Sequence, residues 1–373
     1  MTAARRWGIV AAGLVLLLAT PFVVAAWPVP QAGLSATEVL ARIRASQDVA
    51  FSGQVEAEGH LGLPQEDELE SLAQLLGGRT ELRVWWADAD TWRTATVRPT
   101  GETDVFHRAG PDGRGESLRW VYESKRVTSY PDPPVRLPLA ADLLPNVLAR
   151  HVLQGARAEE VTRLPDRRIA GRTALGLRLT PADPESSIAA VDVHADAATG
   201  LPLAVAIHGP GTAPAVTTTF TTVSLERPKA ETLRFTAPPD ATLHRDVVID
   251  LASAADRYAE LAAPRTLLGF ERRAPTDAVG VYGRGPTMLL AVPLWERYSE
   301  RLRAELARRP DVRHLAQGEL VTAGPLTVLL GHRRDDRAWL VAGTVTADAA
   351  VSAGEELQAL PTGGSYGALG SFS

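Results

Sequence analysis

The residues of this chain that could do chemistry are few, and they do not combine into a known catalytic motif. His107 and Ser117 stand on either side of Asp112, which supplies the residue types of a Ser-His-Asp triad. His194 and Asp196 could give a metal ion two ligands, but the sequence offers no third ligand beside them. We therefore interpret both sets as ordinary strand and turn residues.

A wider search excludes several classes of protein. The chain has no Gly-x-Ser-x-Gly, no His-Glu-x-x-His, no P-loop and no Rossmann fingerprint after a strand. The stretch HGPGTAP, residues 208–214, lies between two predicted strands and is typical of a hairpin loop. We predict that the protein is not an enzyme and that it uses neither a cofactor nor a metal.

Composition narrows the choice further. The 373 residues include no cysteine, which excludes disulfides, Cys-zinc sites, thiol catalysis and a lipidated N-terminal cysteine. The formal net charge is −5, with acidic and basic residues mixed along the chain, so we predict no nucleic-acid partner. A chain that is 45% hydrophobic and 22% charged is expected to fold into globular domains.

The N-terminus carries an export signal. Arg5 and Arg6 precede an uncharged apolar run from Trp7 to Trp27, and a helix of that length reaches about 30 Å, enough to cross a bilayer. Positive charge before the run places the rest of the chain outside the cytoplasm. Residues 24–26, Val-Ala-Ala, also suit signal-peptide cleavage. The sequence thus leaves two alternatives, a protein anchored in the cell membrane and a secreted one, and both are extracytoplasmic.

Beyond the linker, the sequence predicts a helix and then many strands. Ser35-x-x-Glu38 is a capping box, which predicts a helix over Thr37–Ser46. Apolar and polar residues then alternate with a period of two, first in TELRVWWA and the stretches that follow it, and later in LRLTPAD, LPLAVAI and LRFTAPP. This alternation indicates antiparallel strands. A further helix, over residues 141–155, is expected to be kinked or to begin at Pro145, and its apolar face is either a fixed plug or a movable lid.

The pattern changes near residue 250. The stretches DLASAADRYAELA, WERYSERLRAELARRP and ADAAVSAGEELQAL read as helices, with short strands between them. We predict four segments: a signal peptide or membrane anchor with a linker (1–33), a β-rich domain (34–245), a small α+β domain (246–361) and a flexible tail (362–373).

Several stretches together resemble a known family. They are TELRVWWADADTWRTATV, the meander ending in SLRWVYESKRVTSYP, then IAGRTALGLRLTPAD, VDVHADAATGLPLAVAIHG and FTTVSLERP, in this order and spacing. The chain resembles the LolA-like lipoprotein-carrier superfamily, in particular its RseB-like (MucB-like) members and the exported actinobacterial branch. The likeness covers roughly residues 36–241.

This resemblance implies a fold class and a ligand. The fold would be α+β, with a curved antiparallel incomplete β-barrel crossed by helices and a small C-terminal α+β domain. Members hold acyl chains or lipid-bearing partners in an apolar cavity. With strand alternation, the expected cavity residues are Leu82, Val84, Trp86, Trp92, Phe106, Trp120, Tyr122, Leu144, Leu148, Leu177, Leu179, Leu203, Val205 and Phe220.

Two readings of the aromatic residues remain open. The rings of Trp86, Trp92, Trp120 and Tyr122 could be ordinary core packing, or they could line a cavity and pack against a hydrocarbon chain. The leading hypothesis is an extracytoplasmic carrier or sensor for lipid or lipoprotein acyl chains. The alternative is an RseB-like regulator that binds a membrane anti-sigma factor, a transporter or another envelope partner.

Overall fold

The computed structural model describes residues 31–62, 70–98, 101–110, 115–132, 136, 138–245, 262–273, 278–332 and 337–360. The predicted anchor or signal segment, most of the predicted helix at residues 250–262 and the tail lie outside these ranges. Among the helices in the described ranges, none has the length and apolar character needed to span a bilayer.

A large sheet of twelve strands dominates the described chain. Its spatial order is β12-β6-β5-β4-β3-β2-β1-β11-β10-β9-β8-β7. Neighbours are antiparallel except β12, which runs parallel to β6. The strands are β1 Phe51–Gly59, β2 Arg79–Asp88, β3 Thr91–Arg98, β4 Gly101–Ala109, β5 Gly115–Val121, β6 Arg126–Pro131, β7 Val161–Ile169, β8 Arg172–Leu179, β9 Ala190–Asp196, β10 Pro202–His208, β11 Val216–Ser224 and β12 Thr242–Arg245.

The sheet is open and curved. Pairing of β1 with β11 joins the two predicted β sets into one layer. Strand β7 approaches β11 although three strands separate them in the sheet order, which requires strong curvature. This agrees with the predicted incomplete barrel.

Three helices belong to this sheet: α1 Ala36–Ala45, α2 Glu70–Gly77 and α3 Pro145–Val152. The predicted capping box is present, since the Ser35 side chain accepts from the backbone of Glu38 and the Glu38 side chain accepts from the backbone of Ser35. Helix α1 packs on β7 and β8, and α3 packs on β10 and β11. Proline stands at the first position of α3, as one of the two predicted alternatives required.

The predicted alternation on β2 is confirmed. Leu82, Val84 and Trp86 are 1%, 0% and 3% exposed. Their row belongs to a core that also holds Phe51 and Phe220, while a second core joins α1 and α3 to β8 and β9. Each helix therefore covers part of the inner face of the sheet.

Two strand predictions need correction. LRFTAPP, residues 233–239, forms no strand; Phe235 instead packs its ring against Phe106 and Trp120, at centroid distances of 5.4 and 5.8 Å. Two consecutive prolines end this stretch, and prolines lack the N–H that a ladder needs. Tyr122, which strand alternation included among the cavity residues, lies in the β5–β6 turn and is 45% exposed, although its ring contacts that of Trp120 at 5.5 Å.

The C-terminal part forms a smaller sheet of its own. Six described strands take the order β15-β16-β20-β19-β18-β17, and a two-stranded hairpin precedes them. The elements are β13 Thr266–Leu267, β14 Phe270–Glu271, β15 Gly280–Arg284, β16 Thr287–Trp295, α4 Glu296–Leu306, β17 Arg313–Leu315, β18 Gly318–Ala323, β19 Leu326–Gly331, β20 Arg337–Gly343 and α5 Ala347–Gln358. With the large open sheet, this gives the predicted α+β class.

The two sheets touch through the loop between β8 and β9. The N–H of Ser187 donates to Thr344 O at 3.2 Å, and the N–H of Thr346 donates to Glu185 O at 2.8 Å. Each sheet has its own apolar core. Placing a domain boundary between residues 245 and 246 stays a prediction.

Candidate functional site

A cavity of about 820 Å³ lies where α1 and α3 meet the large sheet. Its volume falls in the usual range for small-ligand sites, about 300–1,000 Å³. Apolar side chains from both layers form much of the wall. The lining residues are Ile43, Arg44, Ser46, Gln47, Val49, Phe51, Trp86, Asn146, Ala149, Arg150, His151, Leu153, Gln154, Gly155, Leu201 and Pro202.

Local structure explains how these side chains converge. The guanidinium of Arg44 donates to Leu153 O and Ala156 O at 3.3 and 2.8 Å, so the end of α1 holds the carbonyls that follow α3. Phe51 and Trp86 are cross-strand partners on β1 and β2, and their rings stack at 5.9 Å. The cavity therefore has two helix ends on one side and an aromatic pair on the other.

Two buried polar atoms of cavity residues have no hydrogen-bond partner in the described part of the chain. They are Nε1 of Trp86, on the sheet, and Oδ1 of Asn146, on α3. An unsatisfied buried group costs about 1–3 kcal/mol. One of these groups is a donor and the other an acceptor, which is the pair of groups that an amide would satisfy.

Two arginines and a histidine are among the residues that line the cavity. Arg44, Arg150 and His151 line it, and all three are exposed residues. Desolvation lowers the pKa of His151, and the arginines nearby act in the same direction against the opposing effect of Asp142. His151 is therefore neutral at neutral pH, and the permanent positive charge of the rim comes from the arginines.

A second cavity, of about 410 Å³, lies on the other face of the sheet. Asp104 is its buried centre: Arg93 Nη2 donates to Asp104 Oδ2 at 2.6 Å, and the hydroxyl of Tyr122 donates to the same oxygen at 3.2 Å. Desolvation raises the pKa of Tyr122, and the charge of Asp104 raises it further. The lining residues are Arg93, Asp104, Phe106, Trp120, Tyr122, Lys125, Arg234, Phe235, Thr236, Pro238 and Asp240.

Strand register separates the two cavities. Trp86 pairs with Trp92, and Trp92 pairs with His107, so these three side chains share one face. Phe106 precedes His107 in β4 and therefore points to the opposite face. One cavity cannot include both Trp86 and Phe106.

An aromatic row continues from the first cavity across the inner face. Trp86 stacks on Trp92 at 6.0 Å, and Trp92 stacks on His107 at 4.8 Å with the planes 3° apart. His107 Nε2 lies 2.8 Å from Asp132 Oδ2, and Ser117 Oγ donates to Asp132 Oδ1 at 2.8 Å. The carboxylate thus stands between the hydroxyl and the imidazole.

This order differs from a nucleophilic triad, in which the imidazole contacts the hydroxyl. The hydrogen bonds here satisfy a carboxylate. Burial alone would raise the pKa of Asp132, but the bonds from His107 and Ser117 outweigh burial and hold it below its usual value. Asp112, which the sequence placed with His107 and Ser117, lies outside the described residues.

His194 and Asp196 do not face a common metal position. His194 Nε2 is 3.3 Å from Pro165 O, while the two oxygens of Asp196 accept from Arg172 and Thr199. Among the described residues, no group of three or more His, Asp or Glu side chains could hold a metal ion. The turn interpretation is wrong for His194, which lies within β9 and pairs with Ala204 and Gly176, whereas Asp196 ends β9 and binds Thr199 of the following turn.

The structure distributes the fourteen expected cavity residues among four places. Trp86 lines the first cavity, and Phe106, Trp120 and Tyr122 line the second. The core under α3 and β1 holds Leu82, Val84, Leu144, Leu203 and Phe220, with Trp92 at its edge. The core under α1 holds Leu177, Leu179 and Val205, with Leu148 at its edge. Ligand contact at any of these residues stays a prediction.

Of the residues that line the first cavity, only Trp86 is among those expected from the sequence. The cavity walls come largely from helix ends and from the segment 153–155, whose polar residues gave no periodic signal. The capping box indicated where α1 begins, and the proline indicated where α3 begins. Neither signal indicates that a cavity lies between the two helices.

Comparison with known proteins gave matches among solved structures. No protein-family model matches the chain, and no curated protein does. A crystal structure of MucB in complex with MucA(peri) is 18% identical, covers 86% of this chain and 97% of the MucB chain, and has a TM-score of 0.43. The MucA/MucB complex of Pseudomonas aeruginosa is 18% identical over 86% of this chain and 96% of that chain, with a TM-score of 0.45.

The LolA superfamily protein NE2245 from Nitrosomonas europaea is 10% identical, covers 54% of this chain and 99% of its own, and has a TM-score of 0.20. Structures of both the MucB and the LolA kind are therefore among those to which this chain is similar.

Proposed function

We propose that this protein is a non-enzymatic, extracytoplasmic carrier or sensor that holds an acyl chain of a lipid or lipoprotein in the cavity between α1, α3 and the large sheet. The observation that carries the proposal is a cavity of about 820 Å³ with a partly apolar wall, whose lining residues Trp86 and Asn146 each have a buried polar atom, Nε1 and Oδ1, without a hydrogen-bond partner among the described residues.

The apolar wall suits a hydrocarbon chain. Ile43, Phe51 and Leu201 border the cavity and are 5%, 0% and 1% exposed, so an acyl chain would contact them after displacing the side chains that now cover them. Burying a methylene contributes about 0.8 kcal/mol, so a long acyl chain needs no strong polar contact to remain bound.

The polar atoms favour an acyl chain with an amide over a simple ester. A carbonyl oxygen would accept from Trp86 Nε1, and an amide N–H would donate to Asn146 Oδ1. An ester can satisfy only the first of these groups. The arginines at the rim would hold an anionic group beyond the amide.

The test is displacement of a fluorescent fatty acid from the purified protein, together with mass spectrometry of the lipids extracted from it. We expect N-palmitoyl glycine to displace the probe at lower concentration than methyl palmitate. Gln47→Trp should block the mouth, because exposed Gln47 lines the cavity, whereas Asp48→Trp at the neighbouring exposed position should not. Equal probe binding by both tryptophan variants, or no bound probe at all, would end the proposal.

A second candidate function is regulation through a membrane partner such as an anti-sigma factor. It is favoured by Trp295 and Tyr298, which are 51% and 57% exposed at the start of α4 on the smaller sheet. Trp and Tyr are enriched at protein interfaces. Replacing both by Ser should abolish capture of the extracytoplasmic segment of the anti-sigma factor while leaving displacement of the fatty acid unchanged, and unchanged capture would reject this candidate.

A membrane attachment belongs to the same proposal. The uncharged run from Trp7 to Trp27 would anchor the chain in the cytoplasmic membrane and leave the sheets on its outer side. Flotation of the full chain with neutral phosphatidylcholine vesicles tests this attachment, and a chain that does not float is not anchored.

A further inference from the structure

The linker that follows the N-terminal apolar run is fixed to the edge of the large sheet. The N–H of Ala32 donates to Asp166 Oδ2 at 2.7 Å, and the N–H of Asp166 donates to Gln31 Oε1 at 2.8 Å. Asp166 lies in β7, the edge strand, and its side chain is fully buried. Arg163 Nη2 and the N–H of Gly176 donate to its other oxygen.

The connection from the apolar run to this attachment is short. Trp27 ends the run, and Gln31 is already held at β7. Four residues of fully extended chain span at most about 14 Å. A bilayer that contained the run would therefore lie close to β7, and most of the molecule could not come between them.

Exposed positive charge covers the same edge. We define the basic edge as Arg42, Arg163, Arg167, Arg168 and Arg172, of which Arg42, Arg167 and Arg168 are exposed and the other two are half-buried. Arg42, on α1, is connected to this edge by two hydrogen bonds. Its guanidinium donates to Ala197 O, just after β9, and the N–H of Ala197 donates to Thr173 O on β8. Within the described ranges, neither Arg167 nor Arg168 forms an ion pair, and both residues are exposed.

Two carboxylates of this region are turned inward. The side chains of Asp166 and Asp196 are 0% and 3% exposed, and they pair with Arg163 and Arg172. Glu38 is exposed and offsets part of the charge of Arg42. Among the described residues, the net positive charge that the basic edge presents to solvent therefore comes mainly from Arg167 and Arg168. His194 lies nearby, and desolvation together with the charge of Arg167 lowers its pKa, so it adds no proton at neutral pH.

Strand β7 is also protected against pairing with another strand. Its register shifts between Leu164 and Arg167, and Pro165 is exposed at that irregularity. A bulge, a proline and charges are devices that prevent an edge strand from adding a further strand. These features favour a charged surface over a peptide strand as the partner of this edge.

We propose that the basic edge is the membrane-facing surface of the protein and docks on anionic phospholipid headgroups next to the membrane anchor. The inference rests on the proposed anchor and adds an orientation to it: β7 faces the bilayer. Each arginine near an anionic surface is expected to favour the docked orientation about fivefold.

Single-cysteine labelling can test this orientation, because the chain has no cysteine of its own. The full-length protein carrying Thr162→Cys, an exposed position on β7, is labelled with a fluorophore and reconstituted in vesicles. The vesicles are equimolar phosphatidylcholine and phosphatidylglycerol containing a lipid with a nitroxide on its headgroup. Thr322→Cys, an exposed position on β18 of the smaller sheet, is the matched control.

We expect the nitroxide to quench the label at residue 162 several-fold more than the label at residue 322. The double variant Arg167→Gln with Arg168→Gln should reduce the preference for the docked orientation about 25-fold, which is the product of two fivefold steps. Arg308→Gln with Arg313→Gln removes the same charge from exposed positions on the smaller sheet and should leave the quenching unchanged. Thermal unfolding of each variant confirms that it is folded.

Three results would overturn the proposal. The first is equal quenching at the two labelled positions, and the second is quenching at residue 162 that survives loss of both arginines. The third is shielding of residue 162 without lipid that grows with protein concentration, which would assign the edge to a second copy of the chain. Flotation with vesicles of phosphatidylcholine alone tests the anchor separately. If the protein does not float with these neutral vesicles but anionic vesicles still quench the label at residue 162, the anchor fails and the basic edge is supported.

Discussion

Arg284 and Glu160 join the two sheets of this protein across their boundary. The two terminal nitrogens of Arg284, at the end of β15, donate to the two carboxylate oxygens of Glu160 at 2.9 and 2.6 Å. Arg284 Nη1 also donates to Gly155 O at 3.2 Å, and Gly155 lines the larger cavity. The smaller sheet therefore holds part of the wall of the proposed acyl-chain site.

Loss of Arg284 should destabilise the protein and loosen that wall. The Glu160 side chain is 2% exposed, so Arg284→Ala leaves a buried carboxylate without its main partner. Breaking such a pair costs about 3–5 kcal/mol. We expect a loss of this size in urea unfolding, together with faster amide hydrogen exchange in residues 153–157. Arg284→Gln combined with Glu160→Gln should lose less, and an equal loss would contradict the assigned role.

The same pair should give a defined pH dependence. Hydrogen bonds from Arg284 lower the pKa of Glu160 from 4.5 to about 2. Because the pKa is depressed in the folded state, the stabilisation is complete above the unfolded value and is lost as the pH falls through the folded one. The difference in unfolding free energy between wild type and Glu160→Gln should be up to about 3 kcal/mol at neutral pH and should vanish near pH 2. A constant difference would contradict this.

Gly200 should be intolerant of alanine for two separable reasons. Its φ is +77°, in the left-handed region, and a β-carbon there would lie 2.3 Å from Arg42 O. Gly171 has the same φ of +77°, but nothing lies within 4 Å of its β-carbon position. We expect Gly171→Ala to cost about 1 kcal/mol from backbone strain and Gly200→Ala at least 1 kcal/mol more. If both variants lose the same stability in thermal unfolding, the backbone of α1 moves to accommodate the added β-carbon at residue 200.

The buried carboxylate of the second cavity should control the ionisation of Tyr122. Desolvation and the adjacent Asp104 raise the pKa of Tyr122 above 10.0. Asp104→Asn removes the negative charge, so the pKa of Tyr122 should fall toward its ordinary value, as measured by NMR titration of the ring carbon that bears the hydroxyl. Asp240→Asn, in the same cavity but paired with Lys125, should leave that pKa unchanged. A fall in both variants would point to a general change in the cavity.

Trp86→Phe should separate ligand binding from stability. The substitution keeps an aromatic ring for stacking on Phe51 but removes the buried N–H, for which the described part of the chain offers no acceptor. Loss of ring volume and relief of the unsatisfied group oppose each other, so we expect the free energy of unfolding to change by less than about 1.5 kcal/mol.

Affinity for an acyl amide should respond more strongly to Trp86→Phe. Loss of one hydrogen bond of about 1 kcal/mol predicts roughly fivefold weaker binding. Trp92→Phe is the matched control, because Trp92 lies next in the same stack but does not line the cavity. Displacement of the fluorescent fatty acid measures both variants, and an equal loss of affinity in the two would argue against a hydrogen bond from Trp86.

The sequence by itself determined most of the elements and, through the family resemblance, the class of fold. The Ser35–Glu38 capping box began α1, and the alternation of Leu82, Val84 and Trp86 fixed which side of β2 is buried. These are local properties, since they depend on spacing within one segment. The order of short strands and turns also carried the family resemblance.

Tertiary structure alone decided where the empty space lies. Alternation identifies a buried face, but it cannot distinguish a packed core from a cavity, and most of the expected cavity residues pack in cores. Register places Trp86 and Phe106 on opposite faces, although both look alike in a strand pattern. The larger cavity, the Arg284–Glu160 pair and the attachment of Gln31 to Asp166 all join residues more than one hundred positions apart. Such contacts depend on the curvature of the whole sheet, which no single segment encodes.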